Sequence, residues 1–296
     1  MPNSLAIIGA GRVGRALGRR LRELGWKIGA VLTRNIVSAR KAVRFIGAGQ
    51  PHAVAVREIL ASRVILISVP DDAIEEVADE LARIGAEELR GKIVLHTSGA
   101  RDTTALKALK EYGAAVGGIH PLQTFSGVGV PPLEGRIFAI EGDIAAVRTA
   151  RQFVRALGGS PVRIAGNKKA LYHAAAAMAA GHVLAVEEAA TQLLISIGMT
   201  RGQAVRALLP LTRQVLENFE RLGPRAAWTG PLSRGDYRVV ESHLKALRES
   251  PPEFAGAYDG LNHLAARALA QDAVATLAKL ARISAEKKAK IVGENA

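Results

Sequence analysis

Leu5-Ala6-Ile7-Ile8-Gly9-Ala10-Gly11-Arg12-Val13-Gly14 sets an apolar run against glycines at the first, third and sixth places. Val13, Leu17, Leu21 and Leu24 follow at helical spacing. A strand, a glycine turn and a helix in that order make a pyrophosphate site. The first Gly permits the tight turn, the second lets backbone approach the ligand, and the third lets helix pack on strand. The free N–H groups of the new helix then face the anion. Glycine supplies 30 of 296 residues, so about 0.3 such triplets are expected by chance. The strand before and the helix after carry the reading of a dinucleotide site.

The next apolar run, residues 27–32, ends in Thr33-Arg34-Asn35. An NAD site places Asp or Glu there to hold the ribose 2′-hydroxyl. Here Arg34 stands instead, able to pair bidentately with a 2′-phosphate, with Thr33 and Ser38 as donors. The expected cofactor is NADP(H).

At 296 residues, with 49% hydrophobic content, the chain is long enough for one large or two ordinary domains. It has no Cys, which excludes disulfides, thiolate catalysis and cysteine zinc sites. No secretory pattern opens it, so a cytoplasmic protein is expected. The most apolar window, 170–186, contains His173 and His182 and many Ala, and it reads as a buried helix rather than a membrane span. Net charge is +13, but Lys and Arg are scattered and only 4% of residues are aromatic. That distribution argues against nucleic acid and for attraction of a small anionic substrate and cofactor.

Strand-like runs fall at 5–8, 27–32, 64–69, 92–96, 114–119 and 136–140, with a weaker one at 53–56. Helical patterns at 39–46, 72–84 and 103–112 lie between them, and 143–157 and 162–164 read as a last helix and strand. The alternation predicts a doubly wound parallel sheet. After residue 165 the pattern turns helical. A long Ala-rich helix is expected over 168–197, and Thr200 should cap a helix over 201–221. Further helices are expected from 237 to about 290. Two domains are therefore expected, 1–165 for the dinucleotide and 166–296 for substrate and dimerisation. The basic end after Glu286 reads as frayed and solvated. Close packing of Ala-rich helices makes a homodimer the expected assembly.

Ligands sit beyond the carboxyl ends of parallel strands. Those ends read Ser68-Val69-Pro70-Asp71-Asp72, His96-Thr97-Ser98-Gly99 and His120-Pro121-Leu122-Gln123-Thr124-Phe125. Asp71 and Asp72 suit a helix N-cap and first turn. His96 is either a strand-end scaffold or a site residue. His120 precedes Pro and suits proton transfer at neutral pH. Lys169 and His173 share a helix face, flanked by Tyr172. A desolvated Lys or an oriented His protonates a carbonyl or imine as hydride arrives. His182 falls on nearly the opposite face and reads as core or interface. Arg234 either holds a substrate carboxylate or pairs with Asp236. The seven His lack ligand spacing with carboxylates, so no metal site is expected. Gly9, Gly11, Arg12, Val13 and Gly14, with Thr33, Arg34, Ser68, Val69 and Pro70, are the expected cofactor residues.

The glycine turn, the three strand ends, Lys169-Ala170-Leu171-Tyr172-His173 and Thr229-Gly230-Pro231 resemble a bacterial and archaeal family of Rossmann-like oxidoreductases. The helical half of that family carries a domain-of-unknown-function label. More distantly the layout is similar to pyrroline-5-carboxylate reductases, deazaflavin-dependent NADP reductases and β-hydroxyacid dehydrogenases. The resemblance implies a Rossmann-type sheet followed by an all-α domain like that of 6-phosphogluconate dehydrogenase. It implies an NADP(H)-dependent reductase of a small carboxylated carbonyl or imine, a ketopantoate-type 2-oxo acid among the candidates. In β-hydroxyacid dehydrogenases a Lys-x-x-Asn-Asn motif carries the proton donor. It would fall on Lys169, with both Asn replaced by Tyr172 and His173. Prephenate dehydrogenases place Ser and His-Pro where Ser98 and His120-Pro121 stand. The catalytic candidates are accordingly Lys169, His120, His173 and Ser98, and Lys169 and His120 both stand as the proton-exchanging group. A prephenate-type dehydrogenase and a non-catalytic NADP-binding sensor are the alternatives.

Overall fold

The computed structural model describes residues 4–293, and side chains through residue 283. The basic end after Glu286 lies outside the described side chains. Two compact units divide the chain at Gly181 and His182.

The first unit is built on an eight-stranded sheet of order β3-β2-β1-β4-β5-β6-β7-β8. The strands are β1 (Ser4–Ile8), β2 (Lys27–Leu32), β3 (Gln50–His52), β4 (Val64–Ile67), β5 (Ile93–His96), β6 (Ala115–Pro121), β7 (Ile137–Gly142) and β8 (Ser160–Arg163). Pairing is parallel from β3 to β6, antiparallel between β6 and β7, and parallel again between β7 and β8. Helices α1 (Arg12–Glu23), α2 (Ile36–Ile46), α3 (Ile74–Gly85), α4 (Lys107–Glu111) and α5 (Ile144–Ala156) connect them. Alternation along β1 explains the two layers of core. Leu5 and Ile7 join a cluster with Leu17, Leu21, Ile46 and Phe153. Ala6 and Ile8 join another with Ile67, Ile74, Leu81 and Leu106. Every residue of β1 is buried because both faces are covered. Each such Leu or Ile contributes about 1.5–3 kcal/mol on leaving water. The architecture is a Rossmann-type fold.

The weak strand expected at 53–56 lies earlier, at Gln50–His52. It is an edge strand, where Pro51 omits a ladder donor without loss, and the apolar run after it is left outside the sheet. The helix expected over 103–112 begins as a 3₁₀ turn, Thr103–Leu106, before α4. Asp71 and Asp72 open a 3₁₀ turn, and neither side chain caps it.

After β8 the chain is helical. A helix α6 (Lys169–Ala177) closes the first unit. A π-helical turn, Met178–His182, separates it from α7 (Val183–Ser196) where one continuous α-helix was expected. Gly181, which adds no side chain to hold either winding, lies inside the turn. His182 is exposed rather than core. The second unit continues with α8 (Arg201–Leu222), α9 (Pro224–Ala227), α10 (Pro231–Arg234), α11 (Tyr237–Ala246), α12 (Pro252–Leu269) and α13 (Ala273–Gly293). Thr200 and Gln203 form a capping box at the start of α8. Leu232, Val240, Leu244, Ala266 and Leu280 make this unit's core. No described helix is long and apolar enough to cross a membrane.

Candidate active site

The glycine turn is built by close approach. Gly9 has φ +82°, and a Cβ there would lie 2.6 Å from the backbone of Ser68. A Cβ on Gly14 would lie 2.6 Å from the Gly9 carbonyl. A Cβ on Gly11 would meet nothing within 4 Å. Gly9 and Gly14 therefore serve packing, whereas Gly11 leaves open space at the start of α1. That helix has no side-chain cap and no acid in its first turn, so its leading N–H groups are left for an outside acceptor.

At the end of β2, Thr33 donates its hydroxyl to the Asn35 carbonyl at 2.8 Å, and Asn35 caps α2 by accepting from the Ser38 N–H at 2.8 Å. Arg34 is exposed and forms no hydrogen bond or ion pair among the described residues.

A cleft of about 430 Å³ opens beside the turn, at the carboxyl ends of the strands. Arg12 and Val13 line it from α1, and Ser68, Val69, Pro70 and Asp71 from beyond β4. Thr97, Ser98 and Gly99 line it from beyond β5, His120 and Pro121 from β6, Gln123 and Phe125 from the following loop, and His173 from α6. A hollow of similar size, about 420 Å³, opens at the other strand ends around Ser4, Arg63, Arg90 and Lys92. It contains none of the histidines or carboxylates, and the first is the candidate site.

Within the cleft, Gly99 is the point of contact. A Cβ there would stand 2.6 Å from the His173 ring and 2.8 Å from Nε2 of His120. The two rings meet edge to face at 5.7 Å. Nδ1 of His120 lies 2.9 Å from the Tyr172 hydroxyl. Burial pushes Tyr172 up to about 12, so the phenol keeps its proton. The bond engages Nδ1 whichever of the two groups donates, and it leaves Nε2 as the nitrogen without a protein partner among the described residues. Burial, then His173 and Lys169, push His120 down to about 4, so it is uncharged at neutral pH.

Lys169 is elsewhere. It is 2% exposed and absent from the cleft lining. Its Nζ donates to the Ser98 carbonyl at 2.8 Å and to Oε1 of Glu141 at 3.0 Å. Burial pushes Lys169 down and Glu141 up, each opposed by the other's charge. The start of α6 adds a positive helix end beside the ammonium. His96 is fully buried. Its Nδ1 accepts the Ser98 N–H at 3.2 Å, and its Nε2 lies 3.7 Å from Glu141 without a hydrogen bond. Burial holds it down at about 3. Ser98 Oγ accepts from the N–H groups of Ala100 at 3.1 Å and Arg101 at 2.9 Å, so it shapes its own turn.

The structure thus brings Ser98, His120, His173, Arg12, Val13, Ser68, Val69 and Pro70 to one cleft. Lys169 lies behind its wall, and Thr33 and Arg34 stand at the end of the neighbouring β2. Arg234, the last residue of α10, donates to Asp236 at 3.1 Å on the surface. Glu141 went unread in the sequence. Its one signal is a lone acid closing the apolar run Ile137-Phe138-Ala139-Ile140.

Residues 2–121 match the family model for a Rossmann-like domain, and residues 136–265 match the model for the domain of unknown function DUF2520. The chain joins a Rossmann-like domain to a DUF2520 domain. The second match begins at β7, so it includes the last two strands of the sheet. No curated protein matches the chain by sequence. Solved structures share the fold. A Bacteroides fragilis protein with a provisional NADP oxidoreductase label is 21% identical, with a TM-score of 0.71 over 88% of this chain and 96% of that one. A Thermotoga maritima protein is 24% identical, with a TM-score of 0.66 over 87% and 94%. A reductive aminase from Aspergillus terreus, in complex with NADPH and ethyl-5-oxohexanoate, is 18% identical, with a TM-score of 0.67 over 90% and 94%.

Two uncharged histidines, His96 buried and His120 half-buried, make stability acid-sensitive. Unfolded, each ring takes a proton below about 6.5. Folded, His120 and His96 resist protonation until about 4 and about 3. The unfolded chain binds more protons in between, so stability falls as pH drops from 6.5 toward 4. The loss is up to about 1.4 kcal/mol per pH unit for each ring. Urea melts at stepped pH read this slope, and His120→Gln should flatten it by one proton's share. An identical slope in that variant would refute the assignment.

Proposed function

We propose that this chain is an NADP(H)-dependent oxidoreductase that reduces a small carboxylated carbonyl or imine, a 2-oxo acid of ketopantoate type being one candidate. The observation that carries the reading is an uncharged His120 ring, held by Tyr172, lining a cleft that the glycine turn also borders. The NADPH bound to the reductive aminase of the same fold supports the cofactor.

The residues present suit that cofactor. The space before Gly11 and the uncapped start of α1 fit a pyrophosphate. Arg34, with no partner of its own, fits a 2′-phosphate, while the one donor of the Thr33 hydroxyl is held by the Asn35 carbonyl. Bound NADPH supplies a hydride. Carbonyl reduction also needs one proton, and His120 delivers it. The empty cleft binds that proton weakly. A substrate carboxylate beside the ring, and the alkoxide developing on the reacting oxygen, strengthen its hold. The proton is therefore taken up with the substrate and spent at the reacting atom. Lys169 gives two of its three donors to Ser98 and Glu141, does not line the cleft, and does not serve in this step. The same uncharged ring suits the reverse direction, accepting a proton as a hydroxy acid is oxidised, which is the prephenate-type alternative.

An Arg34→Ala variant should weaken NADPH binding by about 1.5–3 kcal/mol and leave NADH nearly unchanged, since one charged hydrogen-bonding partner is lost. Calorimetric titration of both cofactors decides this, and tighter binding of NADH by the parent chain would end the claim. A screen of oxo acids and cyclic imines, followed by NADPH absorbance, tests for turnover in both directions. With a substrate in hand, His120→Gln should cut kcat about 10²- to 10⁴-fold while NADPH affinity holds. Equal loss of both would make His120 a scaffold, and absence of any turnover would favour the sensor.

The homodimer belongs to the same reading. Leu211, Val215, Phe219 and Leu222 recur on one face of α8 and are exposed. An apolar face of that extent is the mark of an interface. Light scattering at micromolar concentration should give twice the chain mass, and a monomer there would reject it.

A further inference from the structure

Behind the cleft lies a buried ion pair that the proposed chemistry leaves unused. Lys169 and Glu141 are 2% and 6% exposed, and neither lines the cleft. They come from α6 and β7 and meet beneath the turn after β5. Glycines clear the room they occupy. A Cβ on Gly118 would lie 3.0 Å from the ammonium and 3.1 Å from Oε1 of Glu141, and one on Gly166 would lie 3.1 Å from Oε2. Taking two charges out of water is costly, and apolar residues of similar volume often hold a core as well or better. The pair calls for a reason beyond packing.

The reason lies in what the ammonium grips. Its second partner is the Ser98 carbonyl. The Ser98 N–H is held by His96, and its hydroxyl is held by the next two backbone N–H groups but one. With the carbonyl also taken, the backbone N–H, the carbonyl and the hydroxyl oxygen of Ser98 are all held. The next residue is Gly99, against which both His120 and His173 stand.

We propose that Glu141 and Lys169 are a positioning pair: Glu141 anchors the ammonium, the ammonium grips the Ser98 carbonyl, and the turn so fixed sets where His120 and His173 stand in the cleft. This deepens the oxidoreductase reading by naming what holds the ring that carries its proton. The groups facing His120 are Lys169, Tyr172 and His173 from α6, Asp71 from beyond β4, and His96 from β5. Of the cations among them only Lys169 is permanently charged, and it opposes protonation of the ring.

The test uses the full chain in three forms: Lys169→Met, Glu141→Gln and the two together. Each single variant leaves one buried charge alone and should unfold at markedly lower urea than the parent. The double variant carries neither charge and should recover most of that loss. It nevertheless lacks the grip. Amide hydrogen exchange at Gly99, Ala100 and Arg101 should quicken at least about tenfold, while β1 and β4 stay protected. The His120 ring proton, followed by NMR, should titrate about one pH unit higher than in the parent. Parent-like exchange at residues 99–101 or an unmoved His120 titration in the double variant would overturn the proposal. So would a double variant less stable than both singles, because the pair would then be cement for the sheet. Neither readout uses the cofactor. NADPH affinity measured on the parent separates the two readings: no binding there sinks the oxidoreductase reading and leaves this test standing.

Discussion

The close approach of Gly9 to Ser68 is the constraint on which the rest is arranged. β1 lies between β2 and β4, donating from Gly9 to the Leu32 carbonyl on one side and accepting from Ser68 on the other. The chain leaves β1 toward β2 and returns to the sheet at β4 on the opposite flank. At that switch the connections part, and a crevice opens between them. A side chain on Gly9 would press into the Ser68 backbone and force the two strand ends apart. With none, β1, the glycine turn and the Ser68–Asp71 segment share one border of the cleft. Everything with chemistry stands along that border or across from it.

Charge in this border is held in reserve. The chain carries a net +13, yet His120 in the cleft and the buried His96 behind it are uncharged at neutral pH. Burial removes their protons, and the ammonium behind the wall keeps them off. An entering anion reverses that balance locally, because it stabilises the imidazolium it faces. A cleft organised in this way couples proton uptake to the arrival of an acidic ligand.

How much of this was legible in the sequence depended on burial. The strands covered on both faces, β1, β2, β4 and β5, print unbroken apolar runs, and their positions were read to within two residues. β3 lies at the edge, where one flank is open and a proline is tolerated, so Gln50–His52 carries no such run itself, and the strand was placed three residues late, on the apolar stretch that follows it. The π turn at Met178–His182 is invisible because an Ala- and Gly-rich stretch suits either winding, and packing decides between them. The cleft residues after β4, β5 and β6 were legible from the rule that ligands meet strand ends. Glu141 was not. Its partner is 28 residues away on another element, and one acid at the end of an apolar strand reads as an ordinary exit to solvent. Lys169 showed the right chemistry but not its direction. A lysine opening a helix has the same sequence signature whether it faces a ligand or the back of the wall that holds one.

Under the proposed function, that direction favours one of the two resemblances. In the β-hydroxyacid pattern an ammonium delivers the proton, and two amides one helical turn further on orient the substrate. Here those two places hold Tyr172 and His173, on the same face as Lys169. Tyr172 binds Nδ1 of His120, and His173 packs against the same ring. The ammonium meanwhile has turned inward, to a carboxylate and a carbonyl. These departures are mutually dependent. A lysine paired within the wall does not face the cleft, and an imidazole that serves there in its place needs a partner for its far nitrogen and a rigid surface to stand on. Tyr172 gives the first, and the Ser98–Gly99 turn, gripped by that same lysine, gives the second. In this reading the helix does not deliver the proton itself but holds the ring that does.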